Sequence, residues 1–318
     1  MIRLLKQKAL KKILINSITL LVLLTLYLIP NIENKETLKT NLELEYISGV
    51  GTNSIYLLDE NNYLVKTRIL LTSNSLEKKV NTLIDNLIIN KNNTFPDSLK
   101  GTIPEKTKLL GISIENKIVV LNFSKEFLNV NSKLEDRMFE SIVYSLLDLK
   151  ELNGVQIKIN GERLGNYPNS KVPLPDIMTK DIGINKQYHI TKRKDINKVV
   201  VYYIEKIDNV NYYVPVTKYM NDSRDKVKII IENLATSYIY EPNLMSFLNN
   251  NTKLNSYNEE ENIMFLDFNN NIYNNNDTIL EEVIYSISYS IFDNYNVRSV
   301  VFTVDGNNLQ QVNRSELY

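Results

Sequence analysis

Cysteine and tryptophan are absent from the 318 residues, and histidine occurs once. Without cysteine there is no disulfide framework, thiolate zinc site, iron–sulfur cluster or thiol nucleophile. Lipid anchoring through a processed cysteine is excluded as well. The one histidine, His189, falls between two repeats, so a Ser-His-Asp triad would need that connecting residue as its base, and Gly-x-Ser-x-Gly is missing. Gly-x-Gly-x-x-Gly and the phosphate-cradling Gly-x-x-x-x-Gly-Lys-Ser/Thr are missing too, which excludes the standard nucleotide loops. Neither sign of charge is in excess, because 37 Lys and Arg balance 37 Asp and Glu. Such a chain has no field to gather nucleic acid, which is not expected as a partner.

What is present is ordinary globular material, with 43% hydrophobic and 23% charged residues. Short Asn runs such as Asn269–Asn271 read as solvated loops. At the N-terminus a basic segment, residues 1–12, precedes an uncharged apolar run, Ile13 to Ile29, which ends at Pro30. That run is near the short end of a membrane span, and the basic residues set its N-terminus inside. A cleaved signal would want an Ala-x-Ala-like site, yet no alanine lies between Ala9 and Ala235. The expectation is an uncleaved transmembrane signal-anchor at 13–29, a polar spacer at 30–53, and the rest of the chain extracytoplasmic.

The remainder is one unit written twice. Residues 54–164 and 198–309 align along their length, placing domains at 54–164 and 198–312. Tyr144-Ser145-Leu146-Leu147-Asp148 meets Tyr289-Ser290-Ile291-Phe292-Asp293 at an offset of 145, and Leu121-Asn122-Phe123 meets Leu266-Asp267-Phe268. The offset grows toward the start, setting Tyr63, Thr67 and Arg68 on Tyr213, Thr217 and Lys218. Residues 165–197, with Pro168, Pro173 and Pro175, fit a partly extended linker.

Within each unit the hydrophobic period switches in a fixed order. Ile55–Leu58 and Tyr63–Leu71 read as a hairpin. Leu76, Val80, Leu83, Ile84 and Leu87 make a helical face. A second hairpin turns at Glu115-Asn116, a second helix carries Met138, Phe139, Ile142 and Leu146, and Val155, Ile157 and Ile159 alternate in a closing strand. The second unit repeats this, with Pro215 suggesting an edge strand and Val214 beside it an exposed docking point. The fold class expected is α+β: two tandem copies of a small domain, each a mixed sheet with two helices on one face.

Candidate chemistry is sparse. Asp267, Asn269 and Asn271 open like a calcium loop, but Ile272 stands where Gly is needed and Thr278 where a bidentate Glu is needed. Glu259–Glu261 with Glu281 and Glu282 could supply a glycosidase pair, though three consecutive Glu are usually solvated. Ser145 and Ser290 have no base nearby in sequence and read as small residues that let a helix approach a sheet. Tyr202-Tyr203 and Tyr212-Tyr213 could form an aromatic ligand face or simply fill half-buried strand positions. No catalytic, cofactor-binding or metal-binding residue is assigned.

Tyr56-Leu57-Leu58-Asp59 with Tyr63-Leu64-Val65, the Leu121-Asn122-Phe123 strand, and Tyr144-Ser145-Leu146 leading to Val155-x-Ile157-x-Ile159-Asn160-Gly161 carry a family resemblance. Their second copies and the phrase Gly183-Ile184-Asn185-Lys186 add to it. The chain resembles the GerM-like family of sporulation and germination proteins, which have two tandem GerMN domains. The resemblance covers residues 54–309. It implies a fold similar to the ring-building motif of secretion systems and a non-enzymatic protein between mother cell and forespore. Its implied partners are cell-envelope or sporulation channel proteins, and it admits a homo-oligomer. Family members are usually lipoproteins, so here a transmembrane helix would replace the lipid. The alternative is a wall-associated module binding peptidoglycan glycan or peptide stems.

Overall fold

The computed structural model describes residues 51–89, 95–236, 244–275 and 277–317. The basic segment at 1–12, the anchor expected at 13–29 and nearly all of the 30–53 spacer lie outside these. Among the described residues no helix is long and apolar enough to cross a membrane.

The first repeat runs β1 (Gly51–Leu58), β2 (Leu64–Leu71), α1 (Leu76–Leu87), β3 (Leu109–Glu115), β4 (Ile118–Phe123), α2 (Glu135–Leu147), β5 (Gly154–Ile159) and β6 (Glu162–Arg163). After β7 (Gln187–His189), the second repeat runs β8 (Asn197–Ile207), β9 (Val210–Met220), α3 (Lys226–Ala235), β10 (Leu254–Glu260), β11 (Ile263–Phe268), α4 (Glu281–Asn294), β12 (Ser299–Val304), β13 (Asn307–Asn313) and the short α5 (Arg314–Leu317). β1 therefore takes in the last three residues of the expected spacer, and Asn53 is buried in it.

Tight hairpins follow from residues that tolerate positive φ. Asn116-Lys117, Asn160-Gly161, Asp208-Asn209, Glu261-Asn262 and Asp305-Gly306 all have both residues in the left-handed region. That geometry matches the twist of the flanking strands, and Asn, Asp and Gly reach it at least cost. The β3–β4 turn is one residue later than the Glu115-Asn116 expected, because Glu115 already pairs with Ile118.

Each repeat has the expected mixed sheet with packed helices, but the opening hairpin is not part of it, which corrects the expected packing. The mixed sheets are β3-β4-β5-β6 and β10-β11-β12-β13, with the parallel pairs β4–β5 and β11–β12 closed by α2 and α4. The opening hairpins leave those sheets and join each other. β1-β2-β9-β7, with β8 also on β9, forms a five-stranded sheet shared by both repeats. Helix α2 thus packs on β1 and on β5, and α4 packs on β8. Being covered from two sides explains why every α2 residue from Met138 to Leu146 is buried. Burying Phe139, Ile142 or Val143 in full contributes about 1.5–3 kcal/mol each.

The hairpin registers also shift the repeat alignment by one residue. Leu58 and Ile204 are matched, since each makes a short bridge, to Lys100 and Met245. Leu58 pairs with Leu64, and Ile204 with Tyr213, so Tyr213 matches Leu64 rather than Tyr63.

Residues 165–197 are not a free linker. Leu174, Met178 and Ile184 are buried, Met178 bridges Val155 on the edge of β5, and β7 pairs parallel to β9. Apolar residues spaced through a Pro-rich segment have pinned it as a strap along both sheets.

Candidate functional site

The densest polar chemistry of the described residues lies where the repeats meet. Helix α2 approaches the outer edge of β1 with two serines. The Tyr56 amide donates to Ser145 Oγ (3.0 Å), and Ser141 Oγ donates to the Tyr56 carbonyl (2.7 Å). The second copy repeats the clasp, with the Tyr202 amide donating to Ser290 Oγ (2.8 Å). Asn294 adds a pair of bonds to Val200. A bare strand edge exposes unpaired amides and carbonyls. Here hydroxyls one helix turn apart satisfy them, and the small side chains permit the contact. The two serines are spent on backbone and have no imidazole to activate them.

Beneath these clasps lies a buried ionic cluster built from matched residues. Tyr56 donates to Asp148 Oδ2 (3.2 Å), and Tyr202 to Asp293 Oδ2 (2.6 Å). Lys180, from the strap, bridges the two aspartates at 2.6 Å to Asp148 and 3.7 Å to Asp293. Lys66 on β2 lies 3.6 Å from Asp148 and 4.2 Å from the centre of the Tyr289 ring. Burial pushes the Lys66 ammonium down to about 8, against the pull of Asp148 and Asp293. Burial also acts against Lys180, but the Asp148 and Asp293 carboxylates together outweigh it and raise that pKa. Desolvation would raise Asp148, yet its two lysines hold it below the ordinary value.

Asn185 stitches the shared sheet. Its side-chain amide donates to the Leu64 carbonyl (2.9 Å) and the Pro215 carbonyl (2.8 Å), while its oxygen accepts from the Leu64 amide (2.9 Å). β2 and β9 pair directly only at Lys66–Tyr213, and Asn185 fills the neighbouring rung. This overturns the edge reading of Pro215, because β9 is flanked by β8 on one side and by β2 and β7 on the other. A proline is tolerated there because the facing group is a side-chain amide that needs only its carbonyl. Val214 is 0% exposed, so it is no docking point. The backbone amide of Asn185 donates to Glu140 (2.9 Å), which also holds Lys186 and Arg137.

Beside the cluster opens a groove of about 380 Å³, lined by Lys66, Arg68, Tyr212, Tyr213, Tyr285 and Tyr289 among others. Tyr213 packs against Tyr289 at 5.2 Å between ring centres and against Tyr285 at 6.3 Å. Tyr202 and Tyr203, in contrast, are fully buried and form no ligand face.

With this geometry in view, comparison with known proteins is decisive. The family model described as "Germane: Sporulation and spore germination" matches residues 54–165 and again 200–310. The chain belongs to this family. The spore germination protein GerM of Bacillus subtilis (strain 168) is 25% identical over 268 residues, covering 81% of this chain and 73% of that protein. The solved tandem GerMN domains of the Bacillus subtilis sporulation protein GerM superpose with a TM-score of 0.76 at 24% identity, covering 83% of this chain and 97% of that one. The tandem GerMN fold is thereby shown for this chain, and with it a link to sporulation and germination.

The other singled-out residues are not brought together by the Germane fold. His189 is exposed at the end of β7. Asp267 accepts from Thr303 (2.7 Å) and from the Gly306 amide (2.9 Å), and Asn269 from the Lys253 amide (2.9 Å), so both tie loops. Glu259–Glu261 lie at the β10–β11 turn, exposed, beside the start of β12, whereas Glu281 and Glu282 begin α4. Among the described residues no three His, Asp or Glu side chains gather in a way that could hold a metal. Asp148, Asp293, Lys66 and Lys180 were not picked out by sequence. The aspartates stood inside the repeated Tyr-Ser-x-x-Asp phrase, which was the available signal.

Proposed function

We propose that this chain is a non-enzymatic binding protein of the cell envelope that supports sporulation or germination through protein–protein contacts. Residues 13–29 anchor it in the cytoplasmic membrane and hold the repeats on the outer side. Its partners are envelope proteins, such as those of the channel linking mother cell and forespore. One observation carries this reading: Ser145 and Ser290 are consumed on strand edges of their own repeats, while Asp148, Asp293 and Asn185 are consumed in locking the two repeats into a platform. The name of the Bacillus subtilis relative supports the process. Crosslinking in sporulating cells followed by mass spectrometry tests it. Recovery of envelope partners, with His189→Ala and Glu260→Gln leaving sporulation intact, is expected. Loss of function in a folded His189→Ala variant would overturn it.

The groove favours a second reading, a wall ligand. It joins tyrosine rings to the exposed Arg68 and to Glu281, a mixed aromatic and polar lining of the kind that sugar- and peptide-binding sites use. Retention on isolated peptidoglycan that disappears in a Tyr212→Ala, Tyr213→Ala double variant would favour this reading over the first.

A further inference from the structure

At the tip of the first hairpin, Asp59 and the second repeat's Glu205 are 2% and 5% exposed. They occupy matched positions, one residue after Leu58 and Ile204. Asp59 Oδ1 accepts from the Tyr63 amide (2.7 Å), which fixes the carboxylate and directs Oδ2 inward. Glu205 Oε1 accepts from Asn61 Nδ2 (2.6 Å). The remaining oxygens, Asp59 Oδ2 and Glu205 Oε2, are buried with no donor from another residue, the two carboxyls standing in hydrogen-bond contact with each other. Among the described residues neither carboxylate has a lysine or arginine partner, in contrast to Asp148 and Glu140. Two acceptor-only groups facing each other out of water are strongly unfavourable unless a positive charge sits between them.

We propose that Asp59, Glu205 and Asn61 form a site for a hard divalent cation, Ca²⁺ or Mg²⁺, that ties the first hairpin to β8. Two carboxylates neutralise the dication. A half-turn of the Asn61 amide presents its oxygen as a third ligand. Exposed Glu60 and Lys206 flank the pocket, so water reaches it and completes the oxygen shell that both cations require. This is a two-carboxylate site, the kind Mg²⁺ and weak Ca²⁺ sites use. The site stands independently of the partner reading, because it concerns how the repeats are held.

The test uses the full chain at pH 7, in EDTA and then in about 5 mM CaCl₂ or MgCl₂. Tm rises by roughly 2–6 °C with one of the cations. Glu205→Gln, checked by circular dichroism, loses the rise, while Glu259→Gln at the exposed turn keeps it. No Tm change with either cation, or a rise that persists in Glu205→Gln, overturns the site. So does a cation-insensitive chain whose pH dependence vanishes in Glu205→Gln, which would assign the pair to proton sharing alone.

Discussion

Single residues show how a buried charge is tolerated here and what happens when its partner is removed. Asp148 answers two lysines at once. Asp148→Ala takes from Lys66 and Lys180 the carboxylate nearest to both, and is expected to cost about 3–5 kcal/mol in urea denaturation. His189→Ala, on an exposed strand end, should stay within about 0.5 kcal/mol of the parent. The titration of Glu205 gives a signed pH dependence. Its folded pKa is raised to about 8 from an ordinary value near 4.3. The native state then holds more protons than the unfolded chain between those values. The Glu205 contribution is full below about pH 4.3 and is lost as pH rises toward 8. Glu205→Gln should flatten that descent in EDTA, measured as the urea midpoint against pH. Lys66 acts in a separate window. Its pKa is lowered to about 8 from near 10.4, so its contribution rises with pH across that interval.

At the scale of elements, period and turn chemistry were readable where one face of an element meets one neighbour. Helix α1 buries Val80, Leu83, Ile84 and Leu87, the stripe its spacing implies. The β4 and β5 strands and their turns also follow alternation. What sequence could not show was the separation of the opening hairpins from the mixed sheets. Val199–Ile204 reads as a near-continuous apolar run, and such a run says that a strand is buried on both faces without saying against what. Pro215 misled because the edge rule assumes a backbone neighbour, whereas its neighbour is the Asn185 amide. Val214 misled for the same reason. The junction was half legible: Ser145, Ser290 and the Gly183–Lys186 phrase were noticed, but no local pattern joins Lys66 to an aspartate 82 positions away (148 − 66). Two substitutions probe these elements. Ile287→Ala, fully buried on α4, should cost about 2–5 kcal/mol. Ser290→Ala orphans the Tyr202 amide and should cost about 1–3 kcal/mol, read by thermal or urea unfolding.

On the scale of the whole molecule, duplication has produced two repeats that share a sheet within one compact unit rather than two domains on a string. Each repeat has helices and strands enough for a core of its own, which would predict two independent transitions. Three features oppose independence: the sheet crosses from β2 to β9, Lys180 salt-bridges an aspartate of each repeat, and Asn185 bonds to both Leu64 and Pro215. A fragment ending before Gly183 would lose the end of the strap, the Asn185 rung and β9 together. It would leave Lys66 facing Asp148 at a newly wet surface and the Leu64 amide without its acceptor. The intact chain should therefore unfold in one transition, with tyrosine fluorescence and far-ultraviolet circular dichroism superimposable. Asn185→Ala should cost about 1–3 kcal/mol for the orphaned Leu64 amide. It should also make the two signals diverge, because it weakens the coupling between repeats more than either core. Coincident transitions in Asn185→Ala at an unchanged midpoint would show that the cores fold as one without the stitch. The interdomain bonds would then be a consequence of the shared sheet and not its cause.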